Sequence, residues 1–581
     1  MRNMEKDEKI EHLRHTLAHL LAAAVGEIYK FDKVKLTLGP AIENGFYYDI
    51  DFGEEKVADT DLLKIEDKMR KLLPKWTEFT HKEISKEEAL AFFKNEYKSE
   101  LINEITERGE KITTYTCGGF TDLCRGGHLE HPAEEINPDA FKLDRVAGAY
   151  WRGDEKNKML TRIYGLAFAK KEELDVYLEQ RAEAEKRDHK KLGKELGLLM
   201  FHETAPGMPY WLPKGLILYK ELENYWRKRH ADLGYLEIAS PLVNKSELWK
   251  ISGHWDHYKD DMFIADMGEN EVYGIKPMNC PNAMIVFKSM QVSYKDLPLR
   301  LSDTDRLHRY ERSGTLNGLL RCRSFQQDDS HNYVAPNMIE EEYKEIMEIC
   351  KEFYGIFNLE YKFRLGTRPK EFLGDIETWN EAEKALRSVL ENSGKEYSIA
   401  EGDGAFYGPK IDIVMKDAIG RDWQMGTMQL DFQQPRRFEL EYIDKDGKRK
   451  TPVVIHRVIY GSLERFIGIL IEHYSGAFPL WLAPVQVKII PVRTNHTEYA
   501  KKVYEMLREN NIRVELDDKD ENLGTKVRDA KINKMPYWIV IGDKEIEANA
   551  VTLESRDSGN LGQMSKENLV SKLLEEIKNK K

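Results

Sequence analysis

The sequence predicts a multidomain chain, α+β through residue 484 and α/β from Val485 onward. Three observations carry this reading. The length, 581 residues, accommodates three or four domains. Between 200 and 484, short strand-like runs alternate with turns and amphipathic helices, which fits an antiparallel sheet with helices packed around it rather than a doubly wound fold. After Val485, strands and helices follow one another regularly, which predicts a small domain with a largely parallel sheet.

Composition narrows the class. With 41% hydrophobic and 33% charged residues the chain is a soluble globular protein. No apolar run approaches the roughly 20 residues that span a bilayer. The opening Met1-Arg-Asn-Met-Glu-Lys-Asp lacks the apolar core of a signal peptide. Five cysteines in so long a chain do not make a disulfide framework, so reduced, cytoplasmic thiols are expected, free to bind metal. A net charge of −12 argues against a protein coated in basic charge for nucleic acid. One segment, Lys186-Arg-Asp-His-Lys-Lys-Leu-Gly-Lys194, is a candidate for a local basic path, although its composition reads first as a solvated helix face.

Residues 1–168 read as a self-contained α+β domain. Residues 8–30 are a helix with apolar positions at Leu13, Leu17, Leu20, Leu21 and Val25. His15 and His19 are four apart on it and share a face. Strand-like runs follow at 35–38, 45–50 and 113–116, then Asp122 and Cys124-Arg-Gly-Gly-His128. Two histidines with a Cys/His pair suit either a tetrahedral zinc site or a metal-free pocket that activates water. Residues 171–197 are a long, charged, apolar-poor helix, so 169–199 is assigned as a linker.

In the 200–484 domain, Pro213-Lys-Gly215 opens a helix with apolar positions at Leu216, Tyr219, Leu222 and Trp226, and a strand leads to Pro241. Residues 306–331 suggest an antiparallel hairpin around a Gly-containing loop, with Arg309 and Glu311 on one arm and Arg321 and Phe325 on the other. Converging guanidinium groups suit a polyphosphate, and Phe325 offers a face for a purine. His331 stands where a metal ligand could sit. Residues 338–355 are an amphipathic helix, and strands are expected at 413–415 and 423–432. The run 453–470 is a strand that turns at Gly461 into a helix carrying Arg465. The last 97 residues have neither a Gly-rich phosphate loop nor a nucleophile motif, so a binding domain is expected there.

On these residues the chain resembles the threonyl-tRNA synthetases, a class II aminoacyl-tRNA synthetase family, over essentially its whole length. The class motifs are the 213–241 helix–strand, the 309–325 hairpin and Gly461-Ser-Leu-Glu-Arg465; the more specific marks are Cys280 in Met-Asn-Cys-Pro, His331 and His456. The resemblance implies an antiparallel catalytic core at 200–484, an editing domain at 1–168 and an anticodon-binding domain at 485–581. It implies ATP-dependent activation of L-threonine, transfer to tRNA(Thr), hydrolysis of mischarged Ser-tRNA(Thr), Mg²⁺ with the ATP, one Zn²⁺ per subunit and a cytoplasmic homodimer. Carried over, Arg309 holds the α-phosphate and carboxylate side, Glu311 reads the adenine amino group, Phe325 stacks on the base, and Arg321 and Arg465 hold the outer phosphates. Cys280, His331 and His456 ligate zinc. Asp329 and Tyr407 take the substrate amine, with Met278, Gln327, Lys410, Gln424, Gln429 and Ser462 completing the substrate pocket. His15, His19, Asp122, Cys124 and His128 form the editing site.

Three departures accompany the resemblance. The family often begins with a small ubiquitin-like domain, whereas this chain starts at the editing domain, and Met1 favours a natural lack. Glu554 stands where a family member carries an anticodon-contacting arginine, with Arg556 two residues on. Arg312 replaces a hairpin-loop proline of some members. A proline-specific synthetase has no use for a hydroxyl-sensing metal at Cys280, His331 and His456. A non-catalytic paralogue would not keep Arg309, Glu311, Phe325 and Arg465 intact. A hydrolase of mischarged tRNA would leave the 200–484 domain without a purpose.

Overall fold

A computed structural model describes residues 2–154, 156–269, 271–417 and 420–581. The chain divides into two compact units, 1–182 and 183–581.

The first unit is built on the helix Arg2–Tyr29, longer than expected at its start. Its five expected apolar positions are all buried. The helix packs on a five-stranded sheet ordered Lys35–Leu36, Gly45–Asp51, Met159–Ala167, Phe141–Tyr150, with Ala41–Ile42 beside the second strand. A separate three-stranded meander, Thr80–Glu83, Thr113–Cys117 and Phe120–Leu123, delivers Asp122 and, one residue past its end, Cys124.

The expected 171–197 helix is two helices, Lys171–Arg187 and His189–Glu195. Asp188 separates them because its carboxylate accepts the N–H groups of Lys190 and Lys191 and caps the second. Nor is the basic run 186–194 simply the expected solvated face, or one continuous basic path. Lys186 and Arg187 pair with Glu183, and His189 is buried.

The second unit centres on a nine-stranded, mainly antiparallel sheet. Its middle strands, Ser324–Val334, Val453–Ser462 and Asp422–Asp431, lie side by side. The 306–331 hairpin forms, but its first arm is only Arg306–His308, and 309–323 is a long connection with one short helical turn at Ser313–Thr315. On the helix Pro213–Asp232, Tyr219, Leu222 and Trp226 enter the core, whereas Leu216 is 40% exposed and lies off the buried face.

One irregularity sets the site's geometry. Gln327 pairs with Ser462 while Asp329 pairs with Val458, so two extra residues bulge from the Val453–Ser462 strand. A bulge orphans backbone N–H groups. The fully buried Asp328 takes them: its carboxylate accepts from Ile459 and Gly461 at 2.9 Å and Tyr460 at 3.1 Å. Burial pushes the Asp328 carboxyl up to about 7, against the opposite pull of Arg457 and the three N–H groups. Gly461, at φ +80°, completes the turn, where a Cβ would lie 2.0 Å from the Met425 carbonyl oxygen.

The final 97 residues correct the expectation of a largely parallel sheet. Val514–Leu516, Val487–Pro491 and Tyr537–Ile541 are parallel, but Val551–Ser555 and Gly559–Met564 add two antiparallel strands. Two glycines within Gly559–Met564 disguise that last strand as turn. Glu554 accepts from the Trp538 indole at 2.8 Å, and Arg556 donates to the carbonyls of Lys534 and Phe478 at 2.8 and 3.1 Å.

Replacing Asp328 by alanine strands three buried donors. Denaturant unfolding of Asp328→Ala is expected to show a loss of about 3–5 kcal/mol in the second unit's transition. A midpoint equal to the parent's would refute the role given to this carboxylate.

Candidate functional site

In the first unit, His15, His19, Cys124 and His128 converge, their ligand atoms all within 4.8 Å of one another. The two helix histidines touch through Nε2 at 3.1 Å, and Cys124 Sγ lies 3.5 Å from His15 and 3.4 Å from His128. The intervening Gly126 and Gly127, both at positive φ, fold the loop so that Cys124 and His128 face the helix. Asp122 is buried behind them. It accepts from His19 Nδ1 at 3.2 Å, Tyr48 at 2.6 Å, Lys98 at 2.5 Å and the Leu123 N–H at 2.8 Å. Sequence reasoning missed Tyr48 and Lys98. Lys98 is 2% exposed, and a buried lysine is stable only against a carboxylate. Nothing in its sequence context reveals that burial. The cluster opens into a cavity of about 670 Å³.

Charge is separated within this cluster. Burial alone would raise the Cys124 thiol, but hydrogen bonds from His128, His15 and His19 lower it to about 3. Burial would lower His19, but Asp122 and Cys124 raise it to about 9. Burial holds His128 below its ordinary value. At neutral pH the cluster therefore contains a thiolate, an imidazolium at His19 and a neutral imidazole at His128.

In the second unit, His331 and His456 face each other across adjacent strands, with ring centroids 5.0 Å apart. Cys280 joins them from the first turn of the helix Cys280–Lys288, and the three ligand atoms lie within 4.8 Å. All three residues are buried. His456 Nε2 bonds the Asp431 carboxylate at 2.9 Å, which leaves Nδ1 as its other donor atom. Among the described residues nothing hydrogen-bonds His331 Nδ1, although it is buried. One thiol and two imidazoles, with an orphaned ring nitrogen, fit a zinc ion with open coordination. Burial, reinforced by Asp329 and Asp431, pushes the Cys280 thiol well up, so a metal bound here would displace its proton. Asp431 was missed as a functional residue, yet it shares strand parity with Gln429.

Beside this cluster lies a cavity of about 290 Å³, lined by Arg309, Glu311, Arg321, Phe325, Gln327, Gln424, Gln429, Ser462 and Arg465 among others. The Arg309 guanidinium stands 5.1 Å from the Phe325 ring centroid. Glu311 and Arg321 pair at 2.7 Å. Arg465 donates to the carbonyls of Leu320 at 2.8 Å and Gln424 at 2.6 Å and stands 5.6 Å from the Trp423 ring centroid. Asp329, bonded by Asn279 at 3.1 Å and raised to about 6 by burial, lies two residues before His331. Tyr407 donates to Gln429, and its ring lies tilted against that of His456, centroids 5.2 Å apart. Met278 is half-buried two residues before Cys280. Lys410 is placed apart from the cavity lining, paired with Asp412 at 3.1 Å and Asp403 at 3.2 Å.

Comparisons with known proteins match three stretches of the chain. Residues 263–474 match the tRNA synthetase class II core domain (G, H, P, S and T). Residues 486–576 match the anticodon binding domain, and residues 112–164 the threonyl and alanyl tRNA synthetase second additional domain. The threonine–tRNA ligase of Caldanaerobacter subterraneus is 52% identical over 569 residues, 97% of this chain and 87% of that protein. That of Thermotoga neapolitana is 49% identical over 580 residues, covering 100% and 90%. A crystal structure of the RNA binding domain of threonyl-tRNA synthetase from Cryptosporidium parvum aligns with TM-score 0.65 at 41% identity, over 67% of this chain and 98% of that one.

The first-unit cluster gives a direct test. Alkylation of Cys124 by iodoacetamide, followed by peptide mass spectrometry, is expected to keep nearly the same rate from pH 8 down to pH 5. An ordinary thiol slows by about 1000-fold over that range. Such slowing at Cys124 would show that it is not held as a thiolate.

Proposed function

The chain belongs to the threonine–tRNA ligase family, and from that membership we propose which of its residues carry each step. The enzyme is an aminoacyl-tRNA ligase: it activates L-threonine with ATP, transfers it to tRNA(Thr), and has the domain that edits mischarged Ser-tRNA(Thr).

Adenylation is an in-line displacement in which a threonine carboxylate oxygen attacks the α-phosphorus and pyrophosphate leaves. It needs positioning and charge neutralisation more than covalent help. In our reading Arg309 neutralises the α-phosphate and carboxylate, and Arg321 and Arg465 the outer phosphates, with Mg²⁺ arriving on the ATP. Phe325 and Glu311 receive the adenine. The convergence of Arg309, Arg321 and Arg465 on one cavity supports this most strongly. Asp329 and Tyr407 take the amine, and Met278, Gln327, Gln424, Gln429 and Ser462 close the pocket. We assign Lys410 a supporting role, through Asp412, which also accepts from Gln424 at 2.8 Å.

Cys280, His331 and His456 would hold zinc, which supplies a Lewis acid for the threonine amine and hydroxyl. A site built around the hydroxyl rejects valine strongly, whereas one methyl separates serine from threonine by only about 1–3 kcal/mol. Hydrolysis of the serine product is therefore required. We place it at the first-unit cluster, where environments set two imidazoles apart. His19, cationic against Asp122, suits the donor side, and His128, neutral through burial, suits the water-accepting side. Asp122, Lys98 and Tyr48 fix His19.

The five cysteines, all free, fit a reducing cytoplasm. No helix among the described residues is long and apolar enough to cross a membrane. A homodimer is supported by apolar side chains exposed on and after the Pro213–Asp232 helix: Leu216, Leu236, Leu242 and Val243.

ATP–pyrophosphate exchange is expected with threonine and serine and to be at least about 1000-fold weaker with valine; Cys280→Ser should lose both exchange and the bound metal, read by elemental analysis. Strong exchange with valine would sink the metal-based selection. With serine as substrate, His19→Ala should accumulate Ser-tRNA(Thr) that the parent clears. Equal accumulation in both would remove the editing assignment.

A further inference from the structure

We propose that His189 is a positioning residue for adenylation, clamping the hairpin's return turn to the helix that carries Arg465. The proposal rests on the reading of Arg465 as a phosphate-binding residue.

His189 lies in the segment whose composition suggests a solvated face, yet it is 1% exposed. Both ring nitrogens are used. Nε2 accepts the Leu319 N–H at 3.0 Å. The ring proton therefore sits on Nδ1, which donates to the Glu472 carboxylate at 2.7 Å. Glu472 belongs to the helix Leu463–His473, seven residues after Arg465 and so about two turns along the same side. The next carbonyl along the turn, that of Leu320, accepts Arg465 Nε at 2.8 Å. These links close a ring: Arg465, Leu320, Leu319, His189, Glu472 and back along one helix to Arg465.

The approach is close on both sides. A Cβ on Gly318, at φ +53°, would fall 2.3 Å from His189 Nε2, so only glycine lets the turn reach the ring. Lys190 adds a second tie, donating to Asn317 Oδ1 at 3.2 Å. Leu319 and Leu320 are buried, and both line the cavity that holds Arg309, Glu311 and Arg321. Without His189 the Leu319 N–H is a buried donor with no acceptor, and the turn must shift to satisfy it. That shift carries the Leu320 carbonyl away from Arg465. A charged group held by a fixed carbonyl is preorganised for phosphate; one held by a mobile carbonyl is not.

The test is ATP–pyrophosphate exchange on the full chain, with ATP and threonine varied separately. His189→Ala is expected to raise KM for ATP about 5–20-fold. KM for threonine should stay within about twofold, and hydrolysis of preformed Ser-tRNA(Thr) should be unchanged. His189→Gln, whose amide oxygen can accept from Leu319, should recover most of the loss. A residue that merely supports folding would lower the amount of active enzyme without separating the two KM values. If His189→Ala does not fold, Glu472→Ala, which removes the anchor and keeps the ring, should show the same ATP-specific rise. An unchanged KM for ATP in the folded variants, while Arg465→Ala raises it, overturns the clamp and leaves the phosphate reading intact. An unchanged ATP response in Arg465→Ala overturns the phosphate reading and the clamp with it.

Discussion

The carboxylate of Asp328, buried and accepting three consecutive backbone N–H groups, is the constraint on which the second unit's site depends. A strand paired regularly up to Ser462 would have no turn at Gly461. The bulge makes that turn, and the helix starting at Leu463 then points Arg465 back over Gln424. Below the bulge the register resumes, which sets His331 against His456. One side chain thus separates a regular half of the strand pair, which carries His331 and His456, from an irregular half, which leads to Arg465. Any other residue at 328 would leave buried donors unpaired or force the strands to slip.

The two clusters use similar donors under opposite electrostatics. In the second unit, Cys280 is buried, and its surroundings push its thiol well up, toward the protonated form. In the first unit, Cys124 borders a large open cavity and three histidines already stabilise its thiolate. The enclosed cluster suits an ion that must be retained through many turnovers. The open one suits a polar substrate that enters, reacts with water and leaves. The difference lies in what surrounds the donors: Asp431 orients one ring in the dry site, while Asp122, Lys98 and Tyr48 fix a charged ring in the wet one.

Periodicity made the Arg2–Tyr29 helix legible, and the expected apolar stripe is the buried one. The hairpin and the strand–glycine–helix run were legible for a similar reason, because turn chemistry sits at fixed offsets from apolar runs. The final strand was not, since Gly559–Met564 has the composition of a turn and gains its identity only from pairing with Val551–Ser555. The break at Asp188 was a local signal overlooked, an N-cap residue inside a charged run. Tyr48, Lys98 and Asp431 belong to another class. Each acts through a partner distant in sequence, and nothing near Lys98 says that its ammonium is buried 24 residues ahead of its carboxylate. Candidate site residues that the structure brings together were readable where motifs fix their spacing; the residues that hold them in place were not.

The need for two separate sites follows from the size of a methyl group. A pocket can enforce a hydroxyl by leaving a buried donor or an open metal position unsatisfied when it is missing, and that penalty is large. It cannot enforce one methyl in the same way, because an unfilled apolar gap costs only about 1–3 kcal/mol. Tightening the site we propose at Cys280, His331 and His456 would not change this, since serine presents the same amine and hydroxyl as threonine. Discrimination has to come from a second encounter in which the smaller side chain is the one that fits and reacts. The first unit offers features that fit the encounter we propose there: a cavity, a His19 imidazole raised by Asp122 and Cys124, and a His128 imidazole lowered by burial.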